Sequence, residues 1–322
     1  MRQRNFAVAD GGSVNTCKKK RTWGMEIKAN WQLYVMLLIP FIYVVVFMYV
    51  PMFGVQIAFR DYLPVDGIWG SEWVGLKHFR RFFSNPQCWD IIKNTFIISV
   101  YTQLLNIPFP IILAIAFDYA RGRLYKKTVQ MVTFLPHFLS TVIVVSMMNL
   151  IFDNRTGIVN NLLELAFGTK INFLGNPEYF RSMFVWSGIW QNVGWSSILY
   201  ISALSGVDPQ VHEAAIIDGA NKLRRIWHID LTAIRPTIAI MVIKSMGSVL
   251  SVGFDKAYLM QNPLNLQYSE VLSTYEYKMG TAGMVPNYSY AAAIGLMLAV
   301  VSFILTMVTN KISRKLSGSG LW

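Results

Sequence analysis

The sequence predicts an all-α integral membrane protein with six transmembrane helices. Three observations carry that prediction. The 322 residues are 54% hydrophobic and only 14% charged, whereas a soluble domain carries about a quarter charged residues. Apolar runs of roughly twenty residues, the length that crosses a bilayer as a helix, recur along the chain. The basic excess falls on one side of the resulting topology.

The six predicted spans are 31–50, 91–117, 128–151, 183–204, 236–260 and 290–311. The first ends at Pro51 and Gly54, residues that suit a helix end and a turn. The segment 52–90 is rich in aromatics (Phe59, Tyr62, Trp69, Trp73, Phe79, Phe82, Phe83 and Trp89), as an interfacial belt or a small cap on the membrane would be. The second span contains Pro108 and Pro110, each lacking a backbone donor, so a kink is expected there. The third carries Pro136 and His137. The fourth carries Gln191, Asn192 and Ser196 between Trp190 and Trp195, a mixture that suits either a sugar ring or ordinary interhelical hydrogen bonding. In the fifth, Lys244, Ser248, Ser251 and Asp255 are spaced four, three and four apart, which predicts one polar helix face about 16 Å long. Charge within a span is costly in lipid and faces a bundle interior or a watery cavity. The alternative is a packed helix interface with Asp255 paired to Lys256.

With both termini inside, the inner segments hold 18 Lys and Arg against 7 Asp and Glu, and the outer segments hold 10 of each. This is the asymmetry that the positive-inside rule requires. The net charge of +12 is therefore an orientation signal and does not point to nucleic acid. The cluster Lys18, Lys19, Lys20 and Arg21 suits anionic lipid heads or the same orientation role. The first 28 residues do not resemble a removable signal peptide. Cys17 and Cys88 fall on opposite sides, so no disulfide is expected between them.

Catalytic chemistry is not supported. There is no Gly-x-x-x-x-Gly-Lys-Ser/Thr phosphate loop, no Gly-x-Ser-x-Gly elbow and no His-Glu-x-x-His pair. No His or Cys cluster has metal-ligand spacing. The sixteen methionines are scattered through apolar spans as packing residues.

Between the fourth and fifth spans the sequence from His212 to Ile234 reads HEAAIIDGANKLRRIWHIDLTAI. Asp208 and Pro209 supply a helix start, and Gly219 supplies a break. Two short helices about a glycine bend make a knob suited to gripping by a partner; an amphipathic segment lying on the inner leaflet is the competing reading. Glu213-Ala214-Ala215, three residues, Gly219, nine residues, Ile229-x-Leu231 resembles the loop signature of permease subunits of ATP-binding-cassette importers, with Thr232 where Pro is usual. The resemblance extends over roughly residues 30–318 and is nearest to binding-protein-dependent carbohydrate permeases of the complex-oligosaccharide group.

That resemblance implies the type I importer permease fold in the bacterial cytoplasmic membrane, with both termini cytoplasmic. It covers a permease domain (31–312) with a cytoplasmic coupling loop (207–235); the basic leader (1–30), which lies outside the resemblance, and the tail (313–322) are expected in the cytoplasm from the charge count. It implies as partners a second homologous permease, two ABC ATPase subunits that bind the ATP and Mg, and an extracytoplasmic sugar-binding protein; this chain would hold no cofactor itself. Glu213, Ala214, Ala215, Asp218, Gly219, Ile229 and Leu231 are the expected ATPase-coupling residues. Asn192, Gly194, Trp195, Ser248, Ser251 and Asp255 are the expected lining of an oligosaccharide path. The alternatives are a permease for an amino acid or phosphate, which would need a strongly charged cavity, and a membrane scaffold or sensor without a solute path.

Overall fold

A computed structural model describes residues 29–283, 285–318 and 320. The basic cluster Lys18–Arg21, Cys17 and Trp322 lie outside the described residues. The chain divides at Gly54 into two units. In the first, helix α1 (Trp31–Val44) continues through a π turn, Val45–Tyr49. None of its side chains is buried, and its outward residues are those of a lipid-facing span, among them Leu33, Leu37, Ile39 and Phe47.

The second unit begins with a small folded cap. A two-stranded antiparallel ribbon pairs β1 (Arg60–Asp61) with β2 (Glu72–Trp73), α2 (Gly67–Gly70) lies between them, and α3 (Lys77–Phe83) follows. Aromatic residues hold the cap together. Trp73 stacks on Phe59 with centroids 5.6 Å apart, and the Arg60 guanidinium lies over Trp69 and Trp73. Asp61 pairs with Lys77 and His78. The hydrogen bond and charge of Lys77 hold the Asp61 carboxyl below its usual pKa despite partial burial.

The remaining chain is helical. The second predicted span is α4 (Cys88–Asn106) and α5 (Pro108–Tyr119), divided at Ile107. The break falls where Pro108 and Pro110 remove amide donors. The third predicted span is not one continuous helix. It comprises α6 (Arg123–Phe134), a 3₁₀ turn at Leu135–Phe138 and α7 (Thr141–Ile151), bent by 100°. Pro136 lies at the turn, and the Ser140 hydroxyl caps α7 by accepting from the Ile143 amide. After α8 (Ile158–Phe167), the long α9 (Pro177–Leu204) runs through the middle of the bundle.

The fifth predicted span is also broken. Helix α10 (Pro209–Ile217), α11 (Lys222–Arg225) and a π turn (Ile226–Asp230) lead into α12 (Leu231–Gly247). A 3₁₀ turn (Val249–Ser251) and two left-handed residues then separate it from α13 (Phe254–Met260). Helices α14 (Leu266–Ser269) and α15 (Leu272–Tyr277) precede α16 (Tyr288–Ser317).

Three apolar clusters hold the second unit. Ile98, Phe184, Val185 and Val271 join α4 and α9 to α15's start; Phe82, Ile91, Tyr275 and Ile294 join the cap to α4, α15 and α16; Ile111, Tyr200, Leu204 and Ile234 join α5, α9 and α12. Lipid tails are as apolar as leucine, so close fit and interhelical hydrogen bonds carry the association of spans.

Candidate functional site

Local signals build the loop at 207–235. The Asp208 side chain accepts from the Gln210 amide at 2.9 Å, and Pro209 fills the first turn of α10, where no donor is needed. Gly219 closes the helix at φ +77°, a conformation that glycine adopts without a Cβ penalty. Asn221 then caps α11 by accepting from the Arg224 amide at 2.9 Å. The result is a helix–turn–helix knob.

The signature residues divide by position on this knob. Glu213, Ala214, Asp218 and Gly219 are exposed, while Ala215, Ile229 and Leu231 are half-buried. Leu231 packs on the cluster of Ile111, Tyr200, Leu204 and Ile234, so it anchors the knob. Beside the exposed set stand Ile217, Leu223 and Trp227, which are 85%, 76% and 68% exposed. These apolar residues were not singled out from the sequence. The signal available there was an apolar residue immediately before Asp218 and two more among the basic residues that follow.

A buried brace fixes the knob to the helices. Asp230 is 1% exposed. The Tyr119 hydroxyl, at the end of α5, donates to its Oδ2 at 2.9 Å. His212 Nε2, on α10, lies 3.1 Å from its Oδ1, a close polar contact without the alignment of a hydrogen bond. The Arg225 guanidinium lies 5.7 Å from the Tyr119 ring centre. One carboxylate therefore ties α10, α5 and the foot of α12 together.

The expected solute-path residues do not form one face. Lys244 and Ser248 precede the break in the fifth span, and Asp255 follows it, so the helical spacing across this stretch does not persist. Val252 and Gly253 have φ of 37° and 48°. Positive φ at a β-branched residue is rare and strained, and such strain persists only where surrounding contacts enforce it. Here the Ser99 hydroxyl of α4 donates to the freed Val249 carbonyl at 2.6 Å, and the Ser273 hydroxyl donates to the Ser251 carbonyl at 3.3 Å. Asp255 is exposed and makes no ion pair with Lys256 among the described residues.

On α9, three polar or aromatic residues hold the bend between α6 and α7. His137 Nδ1 and Asn192 Oδ1 are 3.0 Å apart. Trp195 stacks on His137 with centroids 4.6 Å apart and planes 6° apart. Gln191 donates to the Leu139 carbonyl at 3.0 Å. Gly194 lies flat against the preceding turn, where an added β-carbon would stand 2.2 Å from the Thr133 carbonyl oxygen. This is close backbone packing between spans, which only glycine permits.

Asn192 and Ser248 do meet. They line one cleft of about 240 Å³ with Ser99, Thr102, Gln103 and Asn106. Gly194, Trp195, Ser251 and Asp255 are not among its walls. The cleft also contains Lys256, 8% exposed, whose Nζ donates to the Phe184 carbonyl at 2.9 Å. The sequence offered Lys256 only as a partner of Asp255; beyond the left-handed break its side chain is instead buried against α9. A larger cleft of about 450 Å³ is walled mainly by Met147, Met148, Phe152, Phe173, Trp186 and Trp190, and this apolar wall offers few partners for hydroxyl groups.

Two features now stand together, a knob built on the Glu-Ala-Ala pattern and broken helices around a polar cleft. Residues 106–318 match the family described as the binding-protein-dependent transport system inner membrane component. The chain belongs to this family. Protein LplB of Bacillus subtilis is 41% identical to it over 310 residues, covering 96% of each chain. The polygalacturonan/rhamnogalacturonan transport system permease protein YteP of the same organism is 42% identical, covering 95% of each. The arabinooligosaccharides permease AraP, also from Bacillus subtilis, is 28% identical over 87% of this chain and 88% of its own. Among solved structures, a bacterial alginate ABC transporter in complex with an alginate pentasaccharide-bound periplasmic protein contains a chain that superposes with a TM-score of 0.85. That chain is 35% identical, and the match covers 92% of this chain and 98% of that one. As a member of this family, the protein is an integral membrane permease subunit of an ABC importer and not an enzyme.

Proposed function

We propose that this permease forms half of the path by which an ATP-driven importer moves an oligosaccharide inward. A second homologous permease forms the other half, an extracytoplasmic binding protein delivers the sugar, and two partner ATPases bind the ATP and Mg. The observation that carries the reading is the polar cleft at the break between α12 and α13. Irregular backbone at membrane depth is tolerated where it is buried in protein or lines a watery cavity, and broken helices in transporters mark solute sites. Hydroxyl and amide groups of Ser99, Thr102, Gln103, Asn106, Asn192 and Ser248 around this break are what sugar hydroxyls require. The two permease relatives named for saccharide polymers or oligomers, and the alginate transporter, support the substrate class.

The test uses the permease pair, ATPases and binding protein reconstituted in liposomes. Sugar-loaded binding protein is expected to stimulate ATP hydrolysis. Asn192→Ala and Ser248→Ala are expected to reduce that stimulation severalfold while basal hydrolysis and assembly persist. Stimulation by an amino acid or phosphate instead would reject the substrate class, and unchanged stimulation in both variants would remove this cleft from the path.

The topology we propose has six spans: α1 with its continuation, α4–α5, α6–α7, α9, α12–α13 and α16. Helix α9 is the least apolar of these. Its 28 residues reach about 42 Å at 1.5 Å per residue, and Gln191 and Asn192 are satisfied by neighbouring helices. The leader (1–30), loop 207–235 and tail (313–322) are assigned to the cytoplasm, in the bacterial cytoplasmic membrane, by their basic excess. A reporter active only in the cytoplasm should work when fused after Trp322 and be silent when inserted at Gly168, the exposed end of α8. The opposite pattern would reverse the orientation.

A further inference from the structure

The cleft contains a cation whose pairing is incomplete. The Lys256 ammonium has three N–H donors, and one is directed to the Phe184 carbonyl at 2.9 Å. The Phe184 ring lies beneath it, with its centre 5.1 Å from Nζ. Among the described residues no carboxylate is within ion-pair distance of it, and no Asp or Glu lines the cleft. Its sequence neighbour Asp255 is exposed. The Thr102 hydroxyl, also in the cleft, is buried without a hydrogen-bond partner. Gly188 lies beside the ammonium, and a β-carbon there would stand 3.4 Å from Nζ, at ordinary contact distance.

Removing an ammonium from water is costly unless an anion or several good acceptors replace the lost hydration. One carbonyl and a ring face replace only part of it. We propose that Lys256 receives a carboxylate of the solute, so that this permease passes oligosaccharides of uronic acids in preference to neutral ones. The inference rests on the cleft being the solute path. The ammonium binds the carboxylate, while Thr102, Asn106 and Ser248 remain for the hydroxyls of the same sugar unit. The cleft's volume of about 240 Å³ suits one such unit, so recognition acts on one residue of a longer chain at a time.

The test compares trigalacturonate and trimannuronate with their methyl esters, which keep the shape and lose the charge. Each is presented by the same binding protein to the full reconstituted complex. The parent should respond to one of the acids at least about tenfold more strongly than to its ester. Lys256→Met should lose at least about tenfold of the acid response, and Lys256→Arg should retain most of it. Lys256 also holds the Phe184 carbonyl, so Lys256→Met has a structural risk. Ser248→Asp avoids it by leaving that bond in place and putting a competing carboxylate among the lining residues of the same cleft. It too should lower the acid response at least about tenfold, beyond the severalfold loss in Ser248→Ala, with normal assembly. An acid response in Ser248→Asp equal to the parent's, or a parent that responds as well to the esters, overturns the proposal. A parent that responds to no oligosaccharide, charged or neutral, defeats the import reading itself.

Discussion

Gly219→Pro is expected to release the ATPase subunits from the permease while the spans stay inserted. Gly219 sits at φ +77°, and proline is held near −65°. The Gly219 amide also donates to the Ile216 carbonyl at 3.0 Å, a bond that proline cannot make. The turn between α10 and α11 must therefore reorganise, and the exposed surface of Glu213, Ala214, Ile217 and Leu223 loses its shape. Co-purification of the ATPase should fall at least about tenfold, which corresponds to about 1.4 kcal/mol of binding. Glu213→Lys should act in the same direction through charge alone, because Glu213 is exposed and its change leaves the knob folded. Normal ATPase recovery with both variants would reduce the segment to a surface helix on the inner leaflet.

The second large effect concerns the buried brace. Tyr119→Phe combined with His212→Ala leaves the Asp230 carboxylate at 1% exposure without its hydroxyl donor and without its imidazole partner. Leaving a buried polar group without its partners costs about 1–3 kcal/mol, and more for a charged group. Amide hydrogen exchange in α10 should accelerate about a hundredfold or more, because local opening is governed by local stability. ATP hydrolysis should no longer follow the solute, since the knob is no longer rigid against α5 and α12. Adding Asp230→Leu should restore most of the protection, as an apolar residue of similar size removes the stranded charge. Exchange at parental rates in the double variant would show that Asp230 is not what holds the knob.

Legibility in the sequence followed the range of the contacts. The knob was readable in detail because its determinants are neighbours: Asp208 with Gln210, Asn221 with Arg224, and a glycine where the chain turns left-handed. The kink in the second span was readable because Pro108 and Pro110 act within one turn. The break in the fifth span was not. Lys244, Ser248, Ser251 and Asp255 have helical spacing, and nothing local marks Val252 as left-handed. The Ser99 hydroxyl that takes up the Val249 carbonyl comes from α4, 150 residues away. With the break unseen, Lys256 read only as a partner for Asp255, and its place in the cleft was missed. The packing roles of Trp195 and Gly194 were not legible for a related reason: aromatic and small residues serve a sugar and a packed backbone equally well. The stack on His137 and the close approach to the Thr133 carbonyl are visible only in the tertiary structure.

The sequence by itself determined that this chain belongs in a membrane, which side its basic excess favours, and where it offers a helix–turn–helix knob. Those properties depend on transfer of side chains into lipid, on net charge near helix ends, and on backbone caps closed within three or four residues. Only the tertiary structure decided where α12 stops, which polar residues meet, and which cation is left facing a cleft. Those outcomes depend on hydrogen bonds between spans. In lipid an unsatisfied carbonyl must find a donor, and that donor sits on another helix whose position the local sequence does not specify.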